Sequence, residues 1–227
     1  MTLQRLAIRV SDVDLDGVLH LPTGEALGGA AVLHGFGGAP DQPHIVATCE
    51  ALAGAGVAAL RFAYRDHDPP HMTLASALAD TAGAIRVLKA HPDLPERLAV
   101  VGFSFGGTVA AIAAGRDSRM RAAVLAAAPA LAQPQFSAWT DGGTWKPIAE
   151  VSRTRARVLL IWGSRDDQVP IENAERYRSV LSQARVTNRL VTIEGGDHDF
   201  QPAAARERMA TAVAAWVRES FVGAEAG

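Results

Sequence analysis

The stretch AVVGFSFGGTVAA, residues 99–111, places a serine between two glycines at the point where an apolar run ends and an alanine-rich run begins. Its first half is typical of a buried strand and its second half of a helix, which predicts a sharp strand-to-helix turn at Ser104. The backbone of such a serine is strained, and only glycines at the flanking positions, Gly102 and Gly106, avoid a collision. Ser104 is therefore a candidate nucleophile. The alternative is a glycine-rich turn that serves only close packing between helix and strand.

Around this turn, strand-like apolar runs alternate with segments at helical spacing. Three early runs predict two half-exposed strands that lead into a buried one, at residues 4–10, 17–22 and 29–35. Later apolar runs lie at residues 57–64, 97–104, 120–128, 156–163 and 189–195. Because repeated strand-helix units with right-handed crossovers build a parallel sheet, we expect a mostly parallel, doubly wound sheet of about eight strands flanked by helices.

The composition bounds the class of protein. A chain of 227 residues is long enough for one well-buried domain, so we expect a single domain over residues 1–227. The net charge of -2 lacks the basic excess of a nucleic-acid binder. Neither a signal peptide nor an apolar run of about 18 residues is recognisable, so we expect a cytoplasmic protein without a membrane partner. The lone Cys49 is expected to be a buried thiol without a chemical role.

A serine nucleophile needs a base and an acid that orients this base. Of the seven histidines, only His198 follows Ser104, in a glycine-containing loop directly after the last predicted strand. Asp166 and Asp167 follow the strand at 156–163, at the edge of the sheet where doubly wound folds bind their ligands. Either aspartate could instead be the N-cap of the next helix, and the residues alone leave this open.

The segment LHGFGG, residues 33–38, ends the third predicted strand and is a candidate oxyanion loop. Its glycines allow the loop to fold back beneath the turn at Ser104. We expect the backbone amides of Phe36 and Phe105 to point at the same oxyanion. His34, in the same loop, is expected to brace the loop rather than to act as the base.

The one long irregular stretch is residues 129–155, between two predicted strands. It is too short and too rich in proline and glycine for a large lid domain, so we expect a short cap-like segment and an open site. Trp139 and Trp145, with Phe136 nearby, are expected to form an apolar wall with Phe36 over the substrate pocket. The alternative is that these rings pack the segment onto the body of the protein. Residues 222–227 are expected to be a frayed tail.

These motifs together resemble the α/β-hydrolases, and among them the small, lidless serine esterases and dienelactone-hydrolase-like enzymes. The resemblance covers residues 29–217 and rests on the segments HGFGG, RFAYRDHD, GFSFGG, GSRDDQVP and GGDHDF. It implies the α/β-hydrolase fold, and the family pattern G-x-x-D-x-x-V-P places the acid at Asp166 rather than Asp167. Dienelactone hydrolases typically carry a cysteine nucleophile, so Ser104 departs from them. Asp66 and Asp68 replace two glycines that are usual in the second segment.

The resemblance implies acyl transfer by Ser104, His198 and Asp166, with the amides of Phe36 and Phe105 as oxyanion donors. The expected activity is hydrolysis of carboxylic esters with small or medium acyl groups, without a metal or cofactor, and the expected partner is a small-molecule ester or thioester. A thioesterase with the same triad is one alternative. A receptor that binds its ligand on the hydrolase fold without turnover is another. The oligomeric state is not predicted.

Overall fold

Eight strands form one sheet in the computed structural model, which describes residues 1–66, 71–131 and 146–223. The strands are β1 (Thr2–Val10), β2 (Val13–Leu21), β3 (Gly29–Leu33), β4 (Ala58–Phe62), β5 (Leu98–Phe103), β6 (Met120–Ala126), β7 (Arg157–Gly163) and β8 (Asn188–Ile193). The helices are α1 (Pro43–Gly54), α2 (Leu74–Ala90), α3 (Phe105–Arg116), α4 (Pro147–Val151), α5 (Glu172–Gln183) and α6 (Ala203–Val222).

The sheet is mostly parallel, with an antiparallel edge. The strand order is β1-β2-β4-β3-β5-β6-β7-β8, in which β1 pairs antiparallel with β2, and β2 antiparallel with β4. All other pairs are parallel. This confirms the predicted architecture of a mostly parallel sheet with flanking helices. Because parallel strands end at the same edge of a sheet, the loops after β3, β5, β7 and β8 lie along one edge.

The core has two layers because the central strands are covered on both faces. Along β3, Ala31 and Leu33 pack with α2 and α3 on one face, whereas Ala30 and Val32 pack with α1 and α6 on the other. Such strands read as continuous apolar runs in the sequence, which is why they could be recognised. Cys49 lies in the second layer, fully buried, and burial raises the pKa of its thiol.

Two predicted irregular segments contain more helix than expected. Helix α4 lies within the stretch 129–155, and α6 continues to Val222, the first residue of the expected tail. The remainder of that tail, residues 224–227, and the central part of the cap-like segment, residues 132–145, lie outside the described residues, as does Asp68. Within the described ranges, no helix combines the length and the apolar character needed to cross a membrane.

Candidate active site

Ser104 occupies the turn between β5 and α3 with a left-handed backbone, φ 53° and ψ −120°. A Cβ atom on Gly102 would collide with the carbonyl of Gly106, and one on Gly106 would collide with the carbonyl of His34. Both positions therefore require glycine, as the sequence predicts. The Ser104 amide donates a hydrogen bond of 2.8 Å to the Ala126 carbonyl, which ties the turn to the neighbouring strand.

His198 and Asp166 are joined across the loops that follow β8 and β7. Nδ1 of His198 lies 3.0 Å from each carboxylate oxygen of Asp166, and the two side chains are 7% and 1% exposed. Because Nδ1 donates its proton to the carboxylate, Nε2 carries the free lone pair of the neutral ring. The backbone amides of Gln168 and Val169 donate to Asp166 Oδ1 over 3.0 and 2.9 Å, so the carboxylate is itself held in place.

Neither aspartate of this loop caps the next helix. The residue at the N-cap of α5 is Ile171, and no side chain accepts a hydrogen bond there. Asp167 is exposed, whereas Asp166 faces the imidazole. The geometry therefore distinguishes the two aspartates, which the residues alone could not.

Burial and charge act on His198 in opposite directions. Burial alone would lower the pKa of the imidazole, because it removes water from the charged form. The hydrogen bond and the negative charge of Asp166, with the charges of Asp199 and Asp167, outweigh burial and raise the pKa above its ordinary value of 6.5. The surroundings therefore stabilise the imidazolium form.

Ser104 and His198 line the same cavity, which has a volume of about 370 Å³. Phe36 and Phe103 contribute its aromatic wall, and Val169 an aliphatic patch. A nucleophile candidate and a base candidate thus share one space with the candidate oxyanion loop. The predicted wall residues Phe136, Trp139 and Trp145 lie outside the described residues.

The candidate oxyanion loop lies against the turn at Ser104. A Cβ atom on Gly35 would lie 3.3 Å from the Ser104 Cβ. His34 is fully buried, with Nδ1 2.8 Å from the Gly35 carbonyl and Nε2 3.4 Å from the Tyr64 amide, so it braces the loop as predicted. The rings of Phe36 and Phe105 meet edge to face at 6.0 Å. Phe105 is the first residue of α3, so its amide lies at the positive end of the helix dipole.

A second brace, which was not predicted, holds the chain just after this loop. Nη1 of Arg61, on β4, donates a hydrogen bond of 3.1 Å to the carbonyl of Pro40. Its Nε donates to Nε2 of His20 over 2.9 Å. Burial, helped by the positive charge of Arg61, lowers the pKa of His20 to about 4, so the ring is a neutral acceptor. An arginine within a strand carries no sequence signal for such a contact.

Four polar residues of the cavity wall were also missed: Gln42, His44, Gln168 and Asp199. His44 is 2% exposed, and burial, reinforced by the charge of His198, lowers its pKa to about 4. It is therefore uncharged at neutral pH. Its position near the start of α1 gives no sign of a role in a site. Asp199 adjoins His198 in the chain, so its place in the wall could have been inferred from that of His198.

The chain matches the dienelactone hydrolase family over residues 15–221. Two solved structures have similar folds. Est1E from Butyrivibrio proteoclasticus is 22% identical, with a TM-score of 0.77 over 96% of this chain and 99% of that one. A dienelactone hydrolase from Anabaena variabilis is 23% identical, with a TM-score of 0.76 over 95% and 96%.

A curated relative from Synechocystis sp., provisionally named a carboxymethylenebutenolidase, is 23% identical over 127 residues. These residues amount to 56% of this chain and 49% of that protein, so the matched part spans about half the length of the relative. The family match, in contrast, extends from within β2 to the last turn of α6. The chain therefore has the α/β-hydrolase fold and belongs to the dienelactone hydrolase family.

Proposed function

We propose that this protein is a serine hydrolase that cleaves carboxylic esters of small or medium acyl groups through an acyl-enzyme on Ser104. One observation carries the proposal. Ser104, on a strained turn, lines the same cavity as His198, and Asp166 holds the opposite side of the imidazole at 3.0 Å. A nucleophile, a base and an orienting acid in this relation are what acyl transfer requires.

The proposed reaction begins when Ser104 Oγ attacks the ester carbonyl and gives its proton to His198 Nε2. Asp166 stabilises the imidazolium that forms, and the amides of Phe36 and Phe105 donate to the oxyanion. The carbon-oxygen bond then breaks, and the proton passes from His198 to the leaving alcohol. In the second half, water attacks the acyl-enzyme and gives one proton to His198. As the bond between the acyl carbon and Ser104 Oγ breaks, His198 returns this proton to Ser104 Oγ, and the carboxylic acid is released.

The test is the variant Ser104→Ala. We expect kcat on a p-nitrophenyl ester to fall by at least about 10³-fold with an unchanged fold, because only substrate binding and the oxyanion donors remain. A fluorophosphonate should label the wild-type protein with a stoichiometry of one per chain and should not label the variant. Ser118→Ala is the matched control, because Ser118 is exposed beyond the other end of α3.

The proposal is wrong if Ser104→Ala keeps more than about a tenth of the activity. Stoichiometric labelling with one slow turnover would instead favour a receptor. A panel of esters, thioesters and lactones then identifies the preferred bond. A lactone belongs in the panel because the name of the Synechocystis relative describes one.

A further inference from the structure

Asp199 lies in the wall of the candidate cavity, directly after His198. Its side chain is half-buried and has no hydrogen bond or ion pair with any residue in the described part of the chain. The neighbouring carboxylates differ, since Asp166 holds the imidazole and Asp197 accepts a hydrogen bond of 2.7 Å from the Gln201 amide. Within the described part of the chain, no hydrogen bond or ion pair therefore holds the Asp199 carboxylate, and its charge acts on the neighbouring His198.

No lysine or arginine accompanies Asp199 among the described residues that line the cavity. The segments outside the description, residues 67–70, 132–145 and 224–227, contain neither residue type in the sequence. The other histidine of the wall, His44, is uncharged at neutral pH. The positive charge of Arg206 also acts on His44, but Arg206 does not line the cavity, and its Nη1 donates to the carbonyls of Phe200 and Gln201. Among the described lining residues, Asp199 is thus the one acidic side chain, and no lysine or arginine lies beside it.

Arg65 also follows a strand at this edge of the sheet, but its guanidinium is already bound in an ion pair with Asp80. Its Nε and Nη2 donate to Asp80 Oδ1 over 2.8 and 2.6 Å, and its amide donates to Asp80 Oδ2 over 2.9 Å. Asp80 is fully buried, so this ion pair fixes the guanidinium to α2. Arg65 is not among the residues that line the cavity.

We propose that Asp199 is a specificity-determining residue that excludes esters carrying a negative charge, so that the substrates are uncharged or cationic. This inference rests on the proposed function. An anionic group would lose its hydration on entering the cavity and would meet a carboxylate rather than a cation. An uncharged substrate avoids this repulsion, and a cationic group is attracted instead.

The experiment compares kcat/KM for pairs of esters of similar size, one neutral and one anionic. On the acyl side, p-nitrophenyl hexanoate is compared with mono-p-nitrophenyl adipate, whose carboxylate is too far along the chain to displace p-nitrophenoxide rapidly through a cyclic anhydride. On the alcohol side, methyl 3-acetoxybenzoate is compared with 3-acetoxybenzoate. Each rate is divided by the alkaline hydrolysis rate of the same ester, and kcat/KM is taken from the alkaline plateau of the pH profile measured for each variant. The side with the larger discrimination identifies the part of the substrate that faces Asp199.

For the wild type, we expect a preference of about tenfold or more for the neutral ester of at least one pair. Asp199→Asn should reduce this preference severalfold, and Asp199→Lys should reverse it. Asp167→Asn is the matched control, because it removes an exposed carboxylate near His198 that does not line the cavity, and the preference should change by less than about twofold. Raising the salt concentration to 1 M should weaken the preference of the wild type but not that of Asp199→Asn.

An unchanged preference in Asp199→Asn, or a wild type that prefers the anionic esters, overturns the inference while the proposed function stands. Absence of turnover on every ester overturns the proposed function, and the charge preference with it. A loss of preference in Asp167→Asn equal to that in Asp199→Asn would assign the effect to the general negative potential rather than to Asp199, and so also overturns the inference.

Discussion

Asp166 and Asp167 are adjacent in the chain but differ in their surroundings. Asp166 is buried against the imidazole of His198 and accepts two backbone amides, whereas Asp167 is exposed and acts on His198 only through its charge. We expect this difference to appear in the pH dependence of the activity. In the proposed mechanism only neutral His198 can act as the base, so kcat/KM should rise with pH through an apparent pKa above 6.5. Asp166→Asn should lower kcat by about 10³- to 10⁴-fold. It should also move the rise to lower pH, because the interactions that raise the pKa are lost.

The control for this prediction is Asp167→Asn, which should cost less than about tenfold in kcat and move the pH profile only slightly. A rate that stays flat from about pH 5 to about pH 9 would contradict a histidine base. The reverse ranking of the two variants would assign the role of the acid to Asp167.

For single residues, the sequence predicts those candidate site residues that directly follow strands. Ser104 and His198 could be inferred because each comes immediately after an apolar run, at the edge where parallel strands end. His44 and Arg61 could not, because one lies near the start of a helix and the other within a strand. Their contacts arise from tertiary packing, which leaves no local pattern.

Among the elements, the turn between β5 and α3 tolerates the least change. We expect Gly106→Ala to destabilise the protein by about 2 kcal/mol or more and to reduce activity, because the new Cβ would meet the carbonyls of His34 and Leu33. Urea unfolding of the purified variant measures this loss. Gly54→Ala is the matched control, since no atom lies within 4 Å of a Cβ at this position in α1. It should be neutral or slightly stabilising, because alanine favours a helix. Equal stability of the two variants would show that the turn has room for a side chain.

The elements differ in how well the sequence predicts them, for a physical reason. Strands such as β5 and β7 are buried on both faces, so nearly every residue is apolar and the pattern is plain. Helix α4 has only five residues and begins with a proline, so it is too short to show a helical period. It was therefore included in an irregular segment.

Considered as a whole, the molecule places its candidate site at one edge of the sheet, in a cavity of about 370 Å³. A cavity of this size matches a short or medium acyl group. We expect kcat/KM for p-nitrophenyl esters to be highest in the range from acetate to about octanoate, without a jump in rate at the micellar threshold. The measurement covers the series from acetate to palmitate, above and below that threshold. A maximum at palmitate with a rise at the interface would contradict it.

The position of a strand in the sheet also affects the local stability of the candidate site, because each site residue depends on the strand that it follows. Strand β5, which leads to Ser104, lies between β3 and β6. Among the described strands, β8, which leads to His198, pairs only with β7. Edge strands open locally at a smaller free-energy cost than central strands do. Ser104 thus follows a central strand, which we expect to open last, and His198 follows an edge strand, which we expect to open earlier. Inactivation by mild denaturant would therefore precede global unfolding.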